Sequence, residues 1–448
     1  MPSAERRDRD PGPVRHDTIA AIATAPGRGG IGVVRLSGPK VPQISSAIVG
    51  FLPAPREARV ARFRNARAED IDHGLALYFP APHSYTGEEV LELHGHGGPV
   101  VMQVLLRACL DAGARLAEPG EFTRRAFLEG KLDLAQAEAV ADLIEASSEQ
   151  AARAALRSLS GEFSAAIHAL ASRLVELRAL TEAMLDFPEE ELDAVHRSDA
   201  ASRLEAIRKS LDEVLAKSRE GNLLRSGIHV VLAGRPNVGK SSLLNRLAGE
   251  ERAIVTPIAG TTRDALREPI QIEGVPLTLV DTAGLRESLD ELERLGVERT
   301  RRELAQADLV LLVEEAGGSA SSLPVLATQA ERIVVYNKLD LAPGFERPTG
   351  ALAVSAKTGE GVADLRTAIL AAAGWSANAE TVFLARERHL RALEKARGHV
   401  EAARGELERW EVFAEELRLG HAALGAITGE FTADDLLGEI FGRFCIGK

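Results

Sequence analysis

Four residues in one short stretch have the types and spacing needed to hold a polyphosphate. Gly234, Gly239, Lys240 and Ser241 fit G-x-x-x-x-G-K-[ST] without a mismatch, inside V-V-L-A-G-R-P-N-V-G-K-S (230–241). A glycine-permitted loop can turn successive backbone N–H groups toward anionic oxygens, and a helix N-terminus behind it adds positive potential. Lys240 would pair with β and γ oxygens and the Ser241 hydroxyl would ligate Mg2+, with Asn237, Val238 and Ser242 completing the loop. Four further motifs follow in order. T-P-I-A-G-T-T-R-D (256–264) supplies Thr256, Pro257, Ile258, Ala259, Gly260, Thr261 and Thr262, of which Thr262 is placed to close onto Mg2+ and the γ-phosphate. L-T-L-V-D-T-A-G (277–284) ends in Asp281, Thr282, Ala283 and Gly284: the carboxylate can hold Mg2+ through water, and the Gly284 N–H can reach the γ-phosphate. R-I-V-V-Y-N-K-L-D (332–340) brings Asn337, Lys338 and Asp340. A carboxylate such as Asp340 accepts two hydrogen bonds from the guanine N1–H and N2–H2 edge, a donor pair adenine lacks, so GTP is selected over ATP. A-V-S-A-K (353–357) ends in Ser355, Ala356 and Lys357, which can cap the base O6. One motif could be chance in a chain with 40 glycines; five in order, each after a strand-like run, are not.

These groups work only if strands deliver them to one edge. Ile228–Ala233 reads as a buried strand, and Ser241–Ala248 has helical spacing, so 227–377 reads as an α/β domain. On both sides lie blocks rich in Ala, Leu, Glu, Arg and Gln with helical periodicity: Leu132–Phe187 and Asp199–Arg225 before it, 380–437 after it. Pro188 breaks the first block, and Glu189–Glu191 reads as a solvated turn. The pattern predicts one helical domain, 131–226 and 378–448, split by an inserted domain. Residues 16–130 mix short strand-like runs (Thr18–Ala25, Ile31–Leu36, Gly74–Phe79, Glu89–Leu93) with one helix near Pro99–Ala112, an α+β unit. Residues 1–15 are charged and Pro/Gly-punctuated, a disordered tail rather than a signal or transit peptide.

Two attractive patterns are set aside. Gly27, Gly29 and Gly32 satisfy G-x-G-x-x-G, but a strand-like V-V-R-L-S-G follows where a dinucleotide site needs a helix. H-G-H-G-G (94–98) lacks partners at metal-ligand spacing and reads as a turn after V-L-E-L. Composition narrows the class. The chain has 448 residues, is 45% hydrophobic and 27% charged, and contains no apolar run of about 18 residues, so no membrane span is expected. Two distant cysteines, Cys109 and Cys445, fit a reducing cytoplasmic setting. A net charge of −12 argues against a broad nucleic-acid footprint, so any RNA contact must be local or shared with a partner.

With the five motifs, the insert resembles the translation-factor-related, Ras-like GTPases. One departure matters: Leu285 follows D-T-A-G where a glutamine would orient water. Asn237, bound to a monovalent cation, and a carboxylate within Glu287–Glu293 are the local substitutes. The flanks go further. T-A-P-G-R-G-G-I-G-V-V-R-L-S-G (24–38), S-Y-T-G-E-E-V-L-E-L (84–93), G-H-G-G-P (95–99), P-G-E-F-T-R-R-A-F-L-E-G-K-L-D-L-A-Q-A-E (119–138), A-E-E-L-R (414–418), I-T-G-E-F-T-A-D-D-L-L-G-E-I-F (427–441) and the final F-C-I-G-K (444–448) resemble the MnmE (TrmE) family of tRNA-modifying GTPases, over about residues 16–448.

That resemblance implies a homodimer that works with a flavin- and NADH-using partner, MnmG (GidA), as a heterotetramer. Together they add an aminomethyl or carboxymethylaminomethyl group to C5 of the wobble uridine (position 34) of certain tRNAs. The carbon comes from 5,10-methylenetetrahydrofolate or 5-formyltetrahydrofolate, held in a folate-binding N-terminal domain. By motif position Arg35, Glu92, Lys131 and Lys448 contact the folate. The resemblance also implies potassium-dependent hydrolysis. Asn237, Thr256, Ile258 and Thr261 would bind K+, Ser241 and Thr262 would bind Mg2+, Lys240 would act on the phosphates and Glu293 would orient water. Cys445 is a candidate thiolate for addition to C6 of uracil. The competing readings are a ribosome-assembly or regulatory GTPase, and a folate-dependent aminomethyltransferase with a regulatory GTPase. A single phosphate loop and a helical C-terminus in place of a KH-type domain favour the tRNA-modifying reading over the first.

Overall fold

The computed structural model describes residues 17–186, 193–250, 267–281, 302–318, 330–375, 382–430 and 434–447. The chain divides into two compact units, Met1–Ala141 with Thr428–Lys448, and Asp142–Ile427.

The first unit is built on a six-stranded sheet in the order β3-β4-β5-β2-β1-β6. Its strands are β1 (Ile19–Ile22), β2 (Gly32–Ser37), β3 (Arg59–Arg64), β4 (Asp70–Phe79), β5 (Val90–Gly95) and β6 (Arg115–Leu116). All pairs are antiparallel except β1 with β6. The strand that follows the triple-glycine pattern is present as β2, as the rejection of a dinucleotide loop requires. Alternation sorts the faces: Val34, Leu36, Leu91 and Leu93 bury against α1 (Val41–Val49) and α2 (Pro99–Asp111), while Arg35, Glu92 and His94 stand on the other face. Pro99 opens α2 at a position where a missing N–H costs nothing. His94 and Gly95 belong to β5 itself, so the strand runs two residues further than the turn reading of 94–98 expects. β3 and α1 have no counterpart in the sequence reading. The charged alternation R-V-A-R-F-R of β3 hides only Ala61 and Phe63.

Behind the sheet come α3 (Glu121–Leu128) and the start of α4 (Leu134–Glu145). The end of the chain returns to them. α12 (Asp434–Gly442) buries Ile440 and Phe441, with Phe444 beyond it, against Leu134 and Ala137. Burying one such aromatic is worth roughly 1.5–3 kcal/mol over leaving it exposed. The last residues then lie along the unit: Ile446 bridges Pro119, and the Gly120 N–H donates to the Cys445 carbonyl at 3.4 Å.

The second unit holds the helices α5 (Glu149–Leu159), α6 (Glu162–Asp186), α7 (Asp193–Ser226), α10 (Glu387–Arg404) and α11 (Trp410–Thr428) together with an α/β sheet, whose core takes in Ala151, Ala154 and Ala155 of α5 and Leu224 of α7. Pro188 and Glu189–Glu191 lie outside the described residues. The sheet has the order β12-β11-β10-β7-β9-β8: β7 (Ile228–Ala233), β8 (Arg267–Ile272), β9 (Val275–Asp281), β10 (Leu309–Glu315), β11 (Glu331–Asn337) and β12 (Leu352–Ala353). Only the β8–β9 hairpin is antiparallel. Nearly continuous apolar runs such as L-V-L-L-V in β10 are what a parallel sheet covered on both faces needs. α8 (Lys240–Glu250) and α9 (Val362–Ala372) belong to this layer.

Candidate functional site

The described motif residues gather at one end of the second sheet. β7 ends at Ala233, β9 at Asp281, β11 at Asn337 and β12 at Ala353. The register keeps these ends level: Leu232 lies opposite Asp281, Glu315 opposite Asn337, and Tyr336 opposite Ala353. Crevices at the carboxyl ends of such strands are where open α/β sheets take ligands.

The phosphate loop lies between β7 and α8. Lys240 is 4% exposed, and its Nζ donates to the carbonyls of Gly234 at 3.0 Å and Arg235 at 2.8 Å. The loop therefore curls around its own ammonium. Asn237, exposed, takes a left-handed φ of 64° that asparagine tolerates. Gly239 has no alternative: at φ 90°, an added Cβ would fall 2.3 Å from Asn337 Nδ2. Val238 is buried and the Ser242 side chain is exposed. The Ser241 hydroxyl donates to Asp281 Oδ2 at 2.5 Å. A hydroxyl and a carboxylate side by side are the hard oxygen donors that Mg2+ prefers.

The base side is organised by Asn337, 1% exposed. Its Nδ2 donates to the Val238 carbonyl at 3.0 Å and lies 3.4 Å from the Gly239 carbonyl, while its Oδ1 accepts the Ala356 N–H at 3.0 Å. One amide thus ties the phosphate loop to the S-A-K loop. Asp340 Oδ1 accepts the Ser355 hydroxyl at 2.7 Å, and Ser355 Oγ accepts the Thr358 N–H at 3.1 Å. Lys338, at φ 65°, pairs with Glu315 at 3.1 Å. Lys357 lends its carbonyl to Arg246 of α8, whose Nε also donates to the Ala356 carbonyl at 2.8 Å. Thr256, Pro257, Ile258, Ala259, Gly260, Thr261, Thr262, Thr282, Ala283, Gly284, Leu285 and Glu293 lie outside the described residues.

A separate set of side chains lies on the first sheet. Arg35 of β2 and Glu92 of β5 are direct cross-strand partners: Arg35 Nε donates to Glu92 Oε1 at 2.8 Å, and the Nη2 of the same guanidinium lies 2.8 Å from that oxygen in an ion pair. The other Glu92 oxygen meets His94 Nε2 at 3.1 Å. The Arg35 guanidinium stands 5.5 Å from the Tyr85 ring centre and 5.9 Å from that of Phe122. Tyr85 exchanges a hydrogen bond with Thr123 at 2.9 Å, and burial pushes its phenol above the ordinary range. Lys131 lies beside Gly87, two residues from Tyr85: its Cε is 3.3 Å from where a Cβ on Gly87 would stand. Lys448 lies outside the described residues; Cys445, three residues before it, is exposed. The pairing of a guanidinium and a carboxylate beside aromatic faces suits a planar heterocycle with N–H donors and an anionic tail.

Two family models match the chain, the MnmE helical domain over residues 134–445 and the GTP-binding protein TrmE N-terminus over residues 18–131. The tRNA modification GTPase MnmE of Azoarcus sp. (strain BH72) is 60% identical over 443 residues, which is 96% of this chain and 98% of the relative. The chain belongs to the MnmE family of tRNA modification GTPases. That makes it a GTPase engaged in tRNA modification. The MnmE of Dechloromonas aromatica (strain RCB) is 59% identical over 97% of this chain and 100% of its own. Among solved structures, the G domain of the T. maritima FeoB iron transporter is similar at 27% identity over 33% of this chain and 98% of that one, with a TM-score of 0.25.

In this MnmE-family chain three contacts escape the motif reading. Tyr85 and Phe122 flank Arg35 from segments that carry no periodic signal linking them. Arg246 braces the base loop from a helix whose sequence says only that it is a helix. His94, expected in a turn, joins Glu92 on one face because β5 runs on through Gly95.

Proposed function

We propose that this GTPase uses potassium-dependent GTP hydrolysis, with its two G domains pairing in a homodimer, to drive C5 modification of the wobble uridine by a folate-derived carbon. The working division is a tail (1–15), a folate-binding and dimerisation domain (16–130), a helical domain (131–226 and 378–448) and an inserted G domain (227–377). One observation supports the nucleotide half above all: the phosphate loop is bonded to Asp281 through Ser241 and to Asn337 through the Val238 carbonyl, and Asn337 is bonded in turn to Ala356, so four separate segments meet at one constellation. In this reading Lys240 leaves its loop carbonyls for phosphate oxygens, Ser241 and Thr262 hold Mg2+, and Asp281 orients the metal's water. Asn237 with Thr256, Ile258 and Thr261 holds K+ where an arginine finger's charge would otherwise act, and Glu293 orients the attacking water.

The Arg35–Glu92 pair supports the folate half. Glu92 would accept from the pterin amino and ring N–H groups, while Arg35, Lys131 and Lys448 would meet the glutamate tail. Cys445, exposed, would add as thiolate to C6 of uracil and so make C5 nucleophilic toward the one-carbon donor; loss of the C5 proton would let the thiolate leave again, and release of the carbon from the folate belongs to the steps shared with the partner. The flavoprotein partner MnmG supplies the redox chemistry. Among the described residues no helix is long and apolar enough to cross a membrane; with two distant cysteines and a tRNA substrate, the proposed site of action is the cytoplasm.

The test is GTP turnover in KCl against NaCl at equal ionic strength. A potassium-specific rise that Asn237→Ala removes, with slow residual turnover in Glu293→Ala, is the expected result. Equal rates in both salts would overturn the cation mechanism. Modification of unmodified tRNA with the flavoprotein and folate, lost in Glu92→Gln, tests the second half.

A further inference from the structure

Two chain crossings join the helices of the second unit to its sheet. α7 ends at Ser226 just before β7, and residues 382–386 lead out of the α/β layer into α10. One carboxylate holds both. Asp142 Oδ1 accepts from Arg225 Nε at 2.9 Å and from Arg386 Nη2 at 2.8 Å, and Oδ2 accepts from Arg386 Nε at 3.3 Å. The Asp142 side chain is 5% exposed. Arg225 lies three residues before β7, and Arg386 is the N-cap of α10.

The connection that follows α4, and the first turn of α5, touch the sheet at a second place. Gln271 Nε2 of β8 donates to the Ser147 carbonyl, and at the hairpin tip a Cβ on Gly274 would fall 2.4 Å from the Gln150 amide carbon. α5 then holds the outgoing crossing, through Arg157 Nη1 to the Val382 carbonyl at 3.1 Å and Ser158 Oγ to the Leu384 carbonyl at 3.1 Å. From the hairpin tip, β9 runs to Asp281, whose carboxylate takes the Ser241 hydroxyl. Its seven residues make a rod of about 23 Å at roughly 3.3 Å per residue. β9 is ladder-bonded on both sides, to β7 and β8.

We infer that Asp142 is the pin through which the nucleotide state of the G domain reaches the helical domain, acting as a positioning residue far from the chemistry. The inference rests on the reading that GTP turnover drives modification. The physical reason is the sharing. Asp142 is 5% exposed, so drawing either guanidinium away takes from a buried carboxylate part of the charge that neutralises it, and the remaining arginine must take up the difference. The two crossings therefore shift together, and the joint behaves as a single discrete element rather than two independent hinges. A cavity of about 110 Å3 lies against the pair, lined by Asp142, Glu145, Ser147, Leu224 and Arg225, and gives the Arg225 side room to move. Gln150 Oε1, against the hairpin tip, is buried without a hydrogen-bond partner, so the tip's present contact with α5 is not fully satisfied.

The experiment compares wild type, Asp142→Asn and Arg225→Lys as full-length protein. It reads GTP turnover, wobble-uridine modification with the flavoprotein partner, and hydrogen exchange of peptides 221–233 and 382–390 with GDP and with GDP–aluminium fluoride. Asp142→Asn is expected to keep GTP turnover within about threefold and to lose modification by about tenfold or more, a usual size for coupling between linked sites. Arg225→Lys is expected to speed exchange in 382–390 as well as in its own crossing, because the pin is shared. Modification that falls only in proportion to GTP turnover, or exchange that rises only at the substituted crossing, overturns the proposal. If Asp142→Asn does not fold, Arg225→Lys decides alone through its exchange at the opposite crossing. Failure of the tRNA-modification reading would look different: wild type would turn over GTP without modifying tRNA, and exchange would still decide the pin.

Discussion

Asn337 reaches from the end of β11 to the phosphate loop, where its Nδ2 donates to the Val238 carbonyl at 3.0 Å. The same amide accepts the Ala356 N–H at 3.0 Å, so base loop and phosphate loop share one strut. Asn337→Ala leaves a buried carbonyl and a buried N–H unmatched, each costing roughly 1–3 kcal/mol. That cost is carried by the free protein as well as the complex; if the equivalent of one unmatched group, roughly 1–3 kcal/mol, falls on the complex alone, affinity for GDP should drop by about ten- to a hundredfold, since each ~1.4 kcal/mol is a factor of ten. Titration with a fluorescent GDP measures this; wild-type affinity would show that Asn337 is a bystander.

Ser241 and Asp281 form the oxygen pair that suits Mg2+. Ser241→Ala should bind nucleotide with the same affinity in magnesium and in EDTA, whereas wild type should weaken in EDTA. Metal charge stabilisation of several kcal/mol would be lost, so GTP turnover should drop by about a hundredfold or more. A variant that still responds to EDTA as wild type does would remove Ser241 from the metal site.

Arg35 and Glu92 lie on a different sheet from the nucleotide constellation. Arg35→Ala and Glu92→Gln should each weaken 5-formyltetrahydrofolate by at least about tenfold, as expected for a lost charge-assisted contact of roughly 1.5–3 kcal/mol. Intrinsic GTP turnover should stay at the wild-type rate in both. Calorimetric titration checks the first statement and a phosphate-release assay the second. Undiminished folate binding in Glu92→Gln would separate the pair from the one-carbon donor.

Acid should loosen the first unit through a partly buried ion network. Asp17 accepts from Arg115 and Arg125, and Glu121, 2% exposed, accepts from the same two arginines, with Glu88 also on Arg125. Hydrogen bonds from Arg115 chiefly, then Arg125, hold Asp17 down at about 2 from an ordinary 3.8. Burial pushes the Glu121 carboxyl up, but the bonds from Arg115, the Glu118 N–H and Arg125 outweigh it and the net direction is down. A depressed carboxyl contributes stability that is full above its unfolded value and is lost as pH falls through the folded one. The melting temperature of the first unit should therefore hold down to about pH 5 and fall steadily toward pH 2. Asp17→Asn should start lower at neutral pH and lose less on acidification. Parallel curves for the two proteins would show that the network carries no linked protons.

Local chemistry made much of this protein legible before any fold was known. A phosphate loop is written in consecutive residues because its donors are consecutive backbone N–H groups, so Gly234 to Ser241 announced strand, loop and helix together. Helical periodicity over 380–437 likewise announced α10 and α11, since an amphipathic helix carries its own repeat, while most of α12 lies beyond that stretch. Other features have no local signature. β3 exposes four of its six residues, so its alternation reads as polar surface. Arg35 meets Glu92 only because the register of β2 against β5 sets residues 57 apart side by side. Asp142 finds Arg225 83 residues away and Arg386 244 residues away because both crossings of the insert pass one helix. Ile446 lies beside Pro119 because α12 buries Phe441 and carries the end of the chain back to α3 and α4. Residue type and spacing determined which chemistry the chain carries. Which distant charges meet was decided by strand register and by where buried apolar faces dock, terms that exist only once the chain has folded.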